Sequence, residues 1–123
     1  MIIRSTLAAC LLMSAMATDG ARAGAATAFD GTWSVLIQTD RGQCDRAYRY
    51  PLVMRDGRVI YEGDASVNVN GQVSKHGAVR VRVTAGSQSA DGTGRLSSAQ
   101  GSGSWRGTGS SGTCSGTWSA ERR

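Results

Sequence analysis

The sequence predicts an all-β protein, an up-and-down antiparallel β-barrel of about eight short strands. After residue 23, apolar and polar side chains alternate at every second position, which is typical of strands with one buried face. The dipeptide Asp56-Gly57 predicts a hairpin, because a type I′ turn needs positive φ at both central residues. A meander of this many strands removes its edges by closing into a barrel, and a two-sheet β-sandwich is the alternative.

The first five strands are predicted at 31–39, 45–55, 58–63, 66–73 and 78–85. Their inward residues lie two positions apart: Trp33, Val35 and Ile37; Tyr48, Tyr50, Leu52 and Met54; Val59 and Tyr61; Val67 and Val69; Val79, Val81 and Val83. Folding the chain at Asp56-Gly57 places Met54 opposite Val59 and Leu52 opposite Tyr61. The same register places Arg49 opposite Asp64, so apolar pairs share one face and opposite charges share the other.

The glycine- and serine-rich end of the chain predicts three further strands at 90–96, 102–107 and 113–121. The period of two places large and small residues on the inward face: Gly92, Gly94 and Leu96; Gly103, Trp105 and Gly107; Cys114, Gly116, Trp118 and Ala120. Glycine leaves space where a bulky neighbour must fit, as small barrels require. The alternative is a partly disordered C-terminal segment.

The first residues predict export. Arg4, the apolar stretch 5–17 and the small-x-small site at Ala21-Arg22-Ala23 indicate a signal peptide at 1–23, followed by a short lead at 24–29 and one barrel domain at 30–123. The apolar stretch is too short to span a bilayer. A lipoprotein box at Leu7–Cys10 is the alternative, although most of its apolar stretch follows the cysteine. We therefore expect a periplasmic or extracellular protein.

Two cysteines, Cys44 and Cys114, follow the predicted signal peptide. In an oxidising compartment an even pair without CxxC spacing forms a disulfide. Closing so long a loop contributes about 4 kcal/mol in the chain-entropy model. Both residues begin strands that share one rim, so we expect the bridge at the barrel mouth, where the chain must bend inward to bring them together.

The residues assemble no catalytic or metal-binding constellation. His76 is the single histidine and lies in the predicted turn 75–77, and the CxxCH haem-attachment motif does not occur. The sequence therefore predicts a protein that is not an enzyme and that carries no cofactor or metal.

Inward aromatic residues form the first candidate site. Tyr48, Tyr50, Tyr61 and Trp105 are predicted to line an interior that holds a small, partly apolar ligand, with Arg46 at the mouth. The alternative is a solid core that these rings fill themselves.

An outward basic wall of Arg80, Arg82, Arg95 and Arg106 is the second candidate. It predicts a protein-interaction module, an inhibitor or a cell-surface or adhesion-type contact, that binds an acidic protein or polymer. The alternative is a solvated face in which Asp91 pairs with Arg106. The net charge of +5 lacks the clustering of a nucleic-acid-binding protein, so no nucleic-acid partner is expected.

Four segments carry a resemblance to a known group of proteins. They read "FDGTWSV" (29–35), "CDRAYRYPLVMRDGRVIYEG" (44–63), "GSWRG" (103–107) and "CSGTWSAER" (114–122). Together they resemble small exported proteins of alphaproteobacteria, some of which carry the label haem utilisation or adhesion exoprotein. The Gly-x-Trp of the opening strand is also similar to that of avidin- and lipocalin-type barrels. The resemblance implies an exported barrel and supplies no catalytic residues.

Overall fold

Alternating side chains produce eight antiparallel strands in the computed structural model, which describes residues 28–123. The strands are β1 (Gly31–Arg41), β2 (Ala47–Arg55), β3 (Arg58–Tyr61), β4 (Asn68–Val73), β5 (Ala78–Ala85), β6 (Gln88–Leu96), β7 (Gln100–Gly109) and β8 (Gly112–Arg122). Each strand pairs with the next and β8 pairs with β1, which confirms the closed barrel over the sandwich. No helix within the described range is long and apolar enough to cross a membrane. The predicted signal peptide and Cys10 lie outside the described residues.

The hairpin between β2 and β3 has the predicted register. Met54 pairs with Val59 and Leu52 with Tyr61, and both turn residues have positive φ, 53° at Asp56 and 78° at Gly57. The Arg49–Asp64 pairing was wrong, because β3 ends at Tyr61 before the ladder reaches Asp64. The Arg49 guanidinium instead donates to Ser34 Oγ on β1 at 3.0 Å.

The three strands predicted for the glycine- and serine-rich end of the chain form as β6, β7 and β8, and β7 pairs with β8 along its whole length. The Trp118 side chain is 6% exposed, and its Nε1–H donates to the Thr93 carbonyl at 3.1 Å. A Cβ at Gly103, the residue paired with Trp118, would overlap both the Thr93 carbonyl oxygen and the indole. Glycine is therefore required at 103 because the indole and the neighbouring backbone occupy the space of a side chain.

One end of the barrel is closed by residues that precede β1 and end β8. Trp33 is fully buried, and its Nε1–H donates to the carbonyl of Phe29 at 2.9 Å. Arg122 lies over the Trp33 ring, 4.7 Å from its centroid, and donates to the Asp30 carbonyl at 2.6 Å. Phe29, from the segment predicted as a lead, is itself buried in the core. These contacts close this end of the barrel and tie the start of the domain to its end.

A disulfide closes the chain at the opposite end, the mouth. Cys44 and Cys114 are bonded with their Cα atoms 6.1 Å apart, as predicted. The required bend comes from an irregularity in β1 between Thr39 and Arg41, followed by Gly42 at φ 98°. A Cβ at Gly42 would lie 2.5 Å from the Thr113 carbonyl oxygen and 2.7 Å from Cys114 Sγ. Only glycine allows this loop to reach β8 so closely.

The buried apolar core occupies the closed half of the barrel. It is formed by Phe29, Trp33, Val35, Met54, Val59, Val73, Val79, Leu96, Trp118 and Ala120. Ile37, Leu52, Val69, Val81 and Trp105 pack against it and are only partly buried. The interior toward the mouth is therefore walled by apolar side chains but not filled by them.

We expect Gly103→Ala to lower the free energy of unfolding by about 1–3 kcal/mol, because the added methyl forces the Trp118 indole or the β6 backbone to move. Urea unfolding followed by tryptophan fluorescence measures this loss. Gly109→Ala is the matched control on the same strand, since its Cβ would meet nothing closer than Cys44 Sγ at 3.4 Å. Equal stability of the two variants would contradict the account of β7.

Candidate ligand-binding cavity

The unfilled half of the barrel forms a cavity of about 390 Å³ that opens at the disulfide end. Its walls are largely aliphatic and come from β1, β2, β4 and β5: Val35, Ile37, Leu52, Val69, Val81 and Val83. Its floor is the upper surface of the core, including Met54, Leu96 and Trp118. The volume lies within the range of small-molecule sites, about 300–1,000 Å³.

Three polar side chains of the wall donate to backbone carbonyls. Trp105 Nε1–H donates to the Gln38 carbonyl at 3.0 Å, and Thr39 Oγ1 donates to the Asp45 carbonyl at 2.6 Å. Trp118 Nε1–H is held by Thr93 in the same way. Because these donors are already used, they present mainly apolar surface to the cavity.

Three tyrosines form a cluster near the mouth. The Tyr50 ring centroid is 5.9 Å from those of Tyr48 and Tyr61, with an edge-to-face contact to Tyr61. The Tyr48 hydroxyl donates to the Asp45 carboxylate, and the Tyr61 hydroxyl accepts the Ala65 N–H at 3.2 Å. The Tyr50 hydroxyl has no hydrogen-bond partner among residues 28–123, so the cavity wall contains one phenol able to donate.

The pKa values of two of these phenols are raised. The hydrogen bond to Asp45 is the largest cause for Tyr48, since ionisation would set a phenolate against a carboxylate. Burial is the largest cause for Tyr50, because it disfavours the charged form. Both phenols therefore stay neutral through the physiological range, and Tyr50 remains a hydrogen-bond donor.

Charge is nearly absent from the cavity wall. No arginine or lysine among the described residues lines it. The acidic residues Asp45 and Asp91 border it, and the exposed Asp91 carboxylate lies on the outer face with Arg82. The Asp45 carboxylate accepts from Tyr48, and the Asp91 carboxylate forms an ion pair with Arg82 at 3.1 Å. An ionic group placed in this interior would find no free counter-charge among residues 28–123.

The five predicted lining residues do not all reach the cavity. Tyr48, Tyr50 and Trp105 line it. Tyr61 contacts Tyr50 edge to face and does not line the cavity. Arg46 is exposed and lies outside the lining, where its backbone carbonyl accepts the Thr39 N–H at 2.9 Å.

Much of the lining was not named from the sequence as a ligand site. It includes Val69 of β4, the valines of β5 and the mouth residues Gln43, Gln88 and Ser110. The inward position of the valines was readable from the period of two, but the unfilled space in front of them was not. No sequence signal marks the loop residues.

The four arginines of the outward basic wall are all exposed on β5, β6 and β7. Asp91 and Arg106 are directly opposite, as predicted, but the Asp91 carboxylate pairs with Arg82 instead. Asp91 is thus flanked by an arginine on each neighbouring strand, and the centre of the wall is partly neutralised.

Within the described range, no group of three histidine, cysteine or acidic side chains is placed to hold a metal ion. Comparison with protein-family models, with curated proteins and with solved structures finds no match to the chain. The resemblance to exported alphaproteobacterial proteins stays a prediction from the quoted motifs.

We expect Tyr48 and Tyr50 to ionise above the ordinary tyrosine pKa of about 10. A folded-state pKa raised above the unfolded value gives stability that is complete below pH 10 and is lost as the pH rises further. Absorbance at 295 nm follows the phenolates, and urea unfolding follows the stability. In Tyr48→Phe/Tyr50→Phe, the late phenolate signal should disappear and the alkaline loss of stability should become shallower. If the absorbance titration, divided by the number of tyrosines, is identical in the wild type and the double variant, the assignment of raised pKa values to Tyr48 and Tyr50 is contradicted.

Proposed function

We propose that this barrel is an exported binding protein that holds a small, uncharged, largely apolar ligand in its interior without converting it chemically. The observation that carries the proposal is the cavity of about 390 Å³, which is walled by aliphatic side chains and opens at one end. An apolar interior of this size that side chains do not fill forgoes the packing that a solid core would gain. A ligand in the cavity would supply that contact.

The wall chemistry supports an uncharged ligand. Moving an ion into an apolar interior costs several kcal/mol unless a counter-charge receives it. The basic residues of the described chain lie off the cavity wall, and the carboxylates of Asp45 and Asp91 already have partners. The portion that enters the cavity is therefore neutral.

The arrangement of polar groups supports an orientation for the ligand. Aliphatic and indole surfaces form the deep part of the cavity, whereas the tyrosines stand nearer the mouth. A ligand with an apolar body would place that body deep, with a carbonyl or hydroxyl oxygen accepting from Tyr50. Such a hydrogen bond contributes about 0.5–1.5 kcal/mol, so Tyr50 selects among apolar ligands and does not supply most of the affinity.

Export is supported by the disulfide. Cys44–Cys114 joins the β1–β2 loop to β8 beside the cavity entrance, and such bonds persist in oxidising compartments. The Arg46 contact to an anionic group is not part of this proposal, because Arg46 lies outside the lining.

We expect the protein purified from its native compartment to carry a small molecule. Native mass spectrometry should show an added mass, and the same sample after denaturation should show the bare chain. The released molecule should be neutral and extractable into organic solvent. If the native mass equals the chain mass and the purified protein also fails to bind a neutral apolar dye such as N-phenyl-1-naphthylamine, the proposal is wrong.

Val83→Trp tests the place of binding, because Val83 lines the cavity and an indole there would fill much of it. We expect at least tenfold weaker binding of N-phenyl-1-naphthylamine, measured by its fluorescence. Thr84→Trp is the matched control, since it adds the same indole to the next residue, on the outer face of β5. Equal affinity of the two variants, both shown to be folded by their melting curves, would place the dye outside the barrel.

A further inference from the structure

A surface cleft lies on the outer wall near the closed end, on the other side of the sheet from the ligand cavity. It is lined by residues of β3, β4, β5 and β6 and the turns that join them, including Arg58, Gln72, Ser74, Arg80 and Thr93. Arg58 pairs with Gln72 and Gln72 with Arg80, so the two arginines stand on either side of one glutamine. Two strand spacings separate their backbones, about 10 Å.

Neither guanidinium group has an acidic partner among residues 28–123. The one ion pair among the described residues joins Arg82 to Asp91, and Arg58 and Arg80 take no part in it. Asp56 is the single carboxylate in the described lining of the cleft, and it forms no ion pair.

Further positive charge surrounds the cleft. Arg55 pairs directly with Arg58 across the hairpin, and Arg95 pairs with Ala78 at the edge of the cleft. Like charges directly opposite each other on a sheet are destabilising. An anion bound beside Arg58 would weaken its repulsion with Arg55.

The geometry favours a tetrahedral oxyanion. A guanidinium donates in a planar fork that matches two oxygens of one anion. Two forks, with the Gln72 amide and the hydroxyls of Ser74 and Thr93 beside them, offer more donors than a carboxylate has oxygens. A phosphate or sulfate group has enough oxygens for both arginines, and its charge matches the pair.

We propose that the cleft between Arg58 and Arg80 is a binding site for a phosphate-type oxyanion, either a free phosphate compound or the headgroup of an anionic lipid. The site is independent of the proposed interior ligand, because the sheet separates the two.

Inorganic phosphate, titrated at ionic strength held constant with sodium chloride, is the first probe. The Gln72 side-chain amide and the Ser74 backbone amide, which are present in every variant, report binding by NMR. We expect saturable shifts in the wild type and at least tenfold weaker binding in Arg58→Gln/Arg80→Gln. The control Arg41→Gln/Arg46→Gln removes the same charge near the mouth and should bind phosphate within twofold of the wild type.

Arg58→Lys/Arg80→Lys distinguishes a site that depends on guanidinium hydrogen bonds from non-specific attraction of phosphate to positive charge. The variant keeps both charges and loses both forks, so phosphate binding should weaken severalfold. Wild-type affinity in this variant, or equal weakening in the Arg41/Arg46 control, would overturn the site.

Vesicles of phosphatidylcholine containing phosphatidic acid are the second probe, followed by co-sedimentation. Sedimentation that is lost in Arg58→Gln/Arg80→Gln assigns the oxyanion to a lipid headgroup. Saturation by inorganic phosphate without sedimentation assigns it to a free phosphate compound. If neither probe gives a response that depends on Arg58 and Arg80, the proposal is overturned, and the proposed function of the cavity is unaffected.

Discussion

The pairing of β1 with β8 is the constraint on which the rest of the structure depends. Eight strands enclose an interior only if the first meets the last, and here their ladder runs from Trp33↔Arg122 to Arg41↔Ser115. Each end of this seam is secured by a different interaction. At the closed end Arg122 lies over Trp33 and bonds the backbone before β1, and at the mouth the Cys44–Cys114 bond joins the β1–β2 loop to β8. Opening the seam would expose two strand edges and the whole apolar interior at once.

The large side chains are unevenly distributed along the barrel axis, and this creates the cavity. Phe29, Trp33 and Trp118 fill the closed half, where glycines leave room for indoles that donate to backbone carbonyls. Toward the mouth the inward positions of β4 and β5 are valines, which wall the space without crossing it. The cavity is largely apolar because its walls are aliphatic and the N–H groups of Trp105 and Trp118 donate to backbone carbonyls, which leaves the Tyr50 hydroxyl as a donor. The same distribution of large and small inward residues therefore stabilises the closed half and leaves the proposed ligand cavity open.

The charged side chains are arranged independently of the interior. Asp91 neutralises Arg82 in the middle of the outer wall, whereas Arg58 and Arg80, beside the closed end, have no ion-pair partner within the described range. Near the mouth, the Asp45 carboxylate is engaged by Tyr48. The cavity entrance and the arginine cleft thus lie at different ends of the barrel, and the two proposed ligands would not compete for space.

The period of two determined which residues face inward. Trp33, Tyr50, Val81 and Trp118 all lie on the interior side, and the Asp56-Gly57 hairpin and the Cys44–Cys114 bridge form as predicted. The sequence alone carried this information because side-chain direction in a strand and φ at a turn are local properties. Only the tertiary structure decided how much of the interior is filled, since the volume depends on strands far apart in the chain. It also decided that Arg46, inward by parity, stands exposed at the rim, and that Asp91 pairs with Arg82 and not Arg106. Arg82 and Arg106 lie on the two strands beside Asp91, at equal strand spacing. Which of them forms the ion pair depends on side-chain geometry, and the sequence pattern does not contain that information.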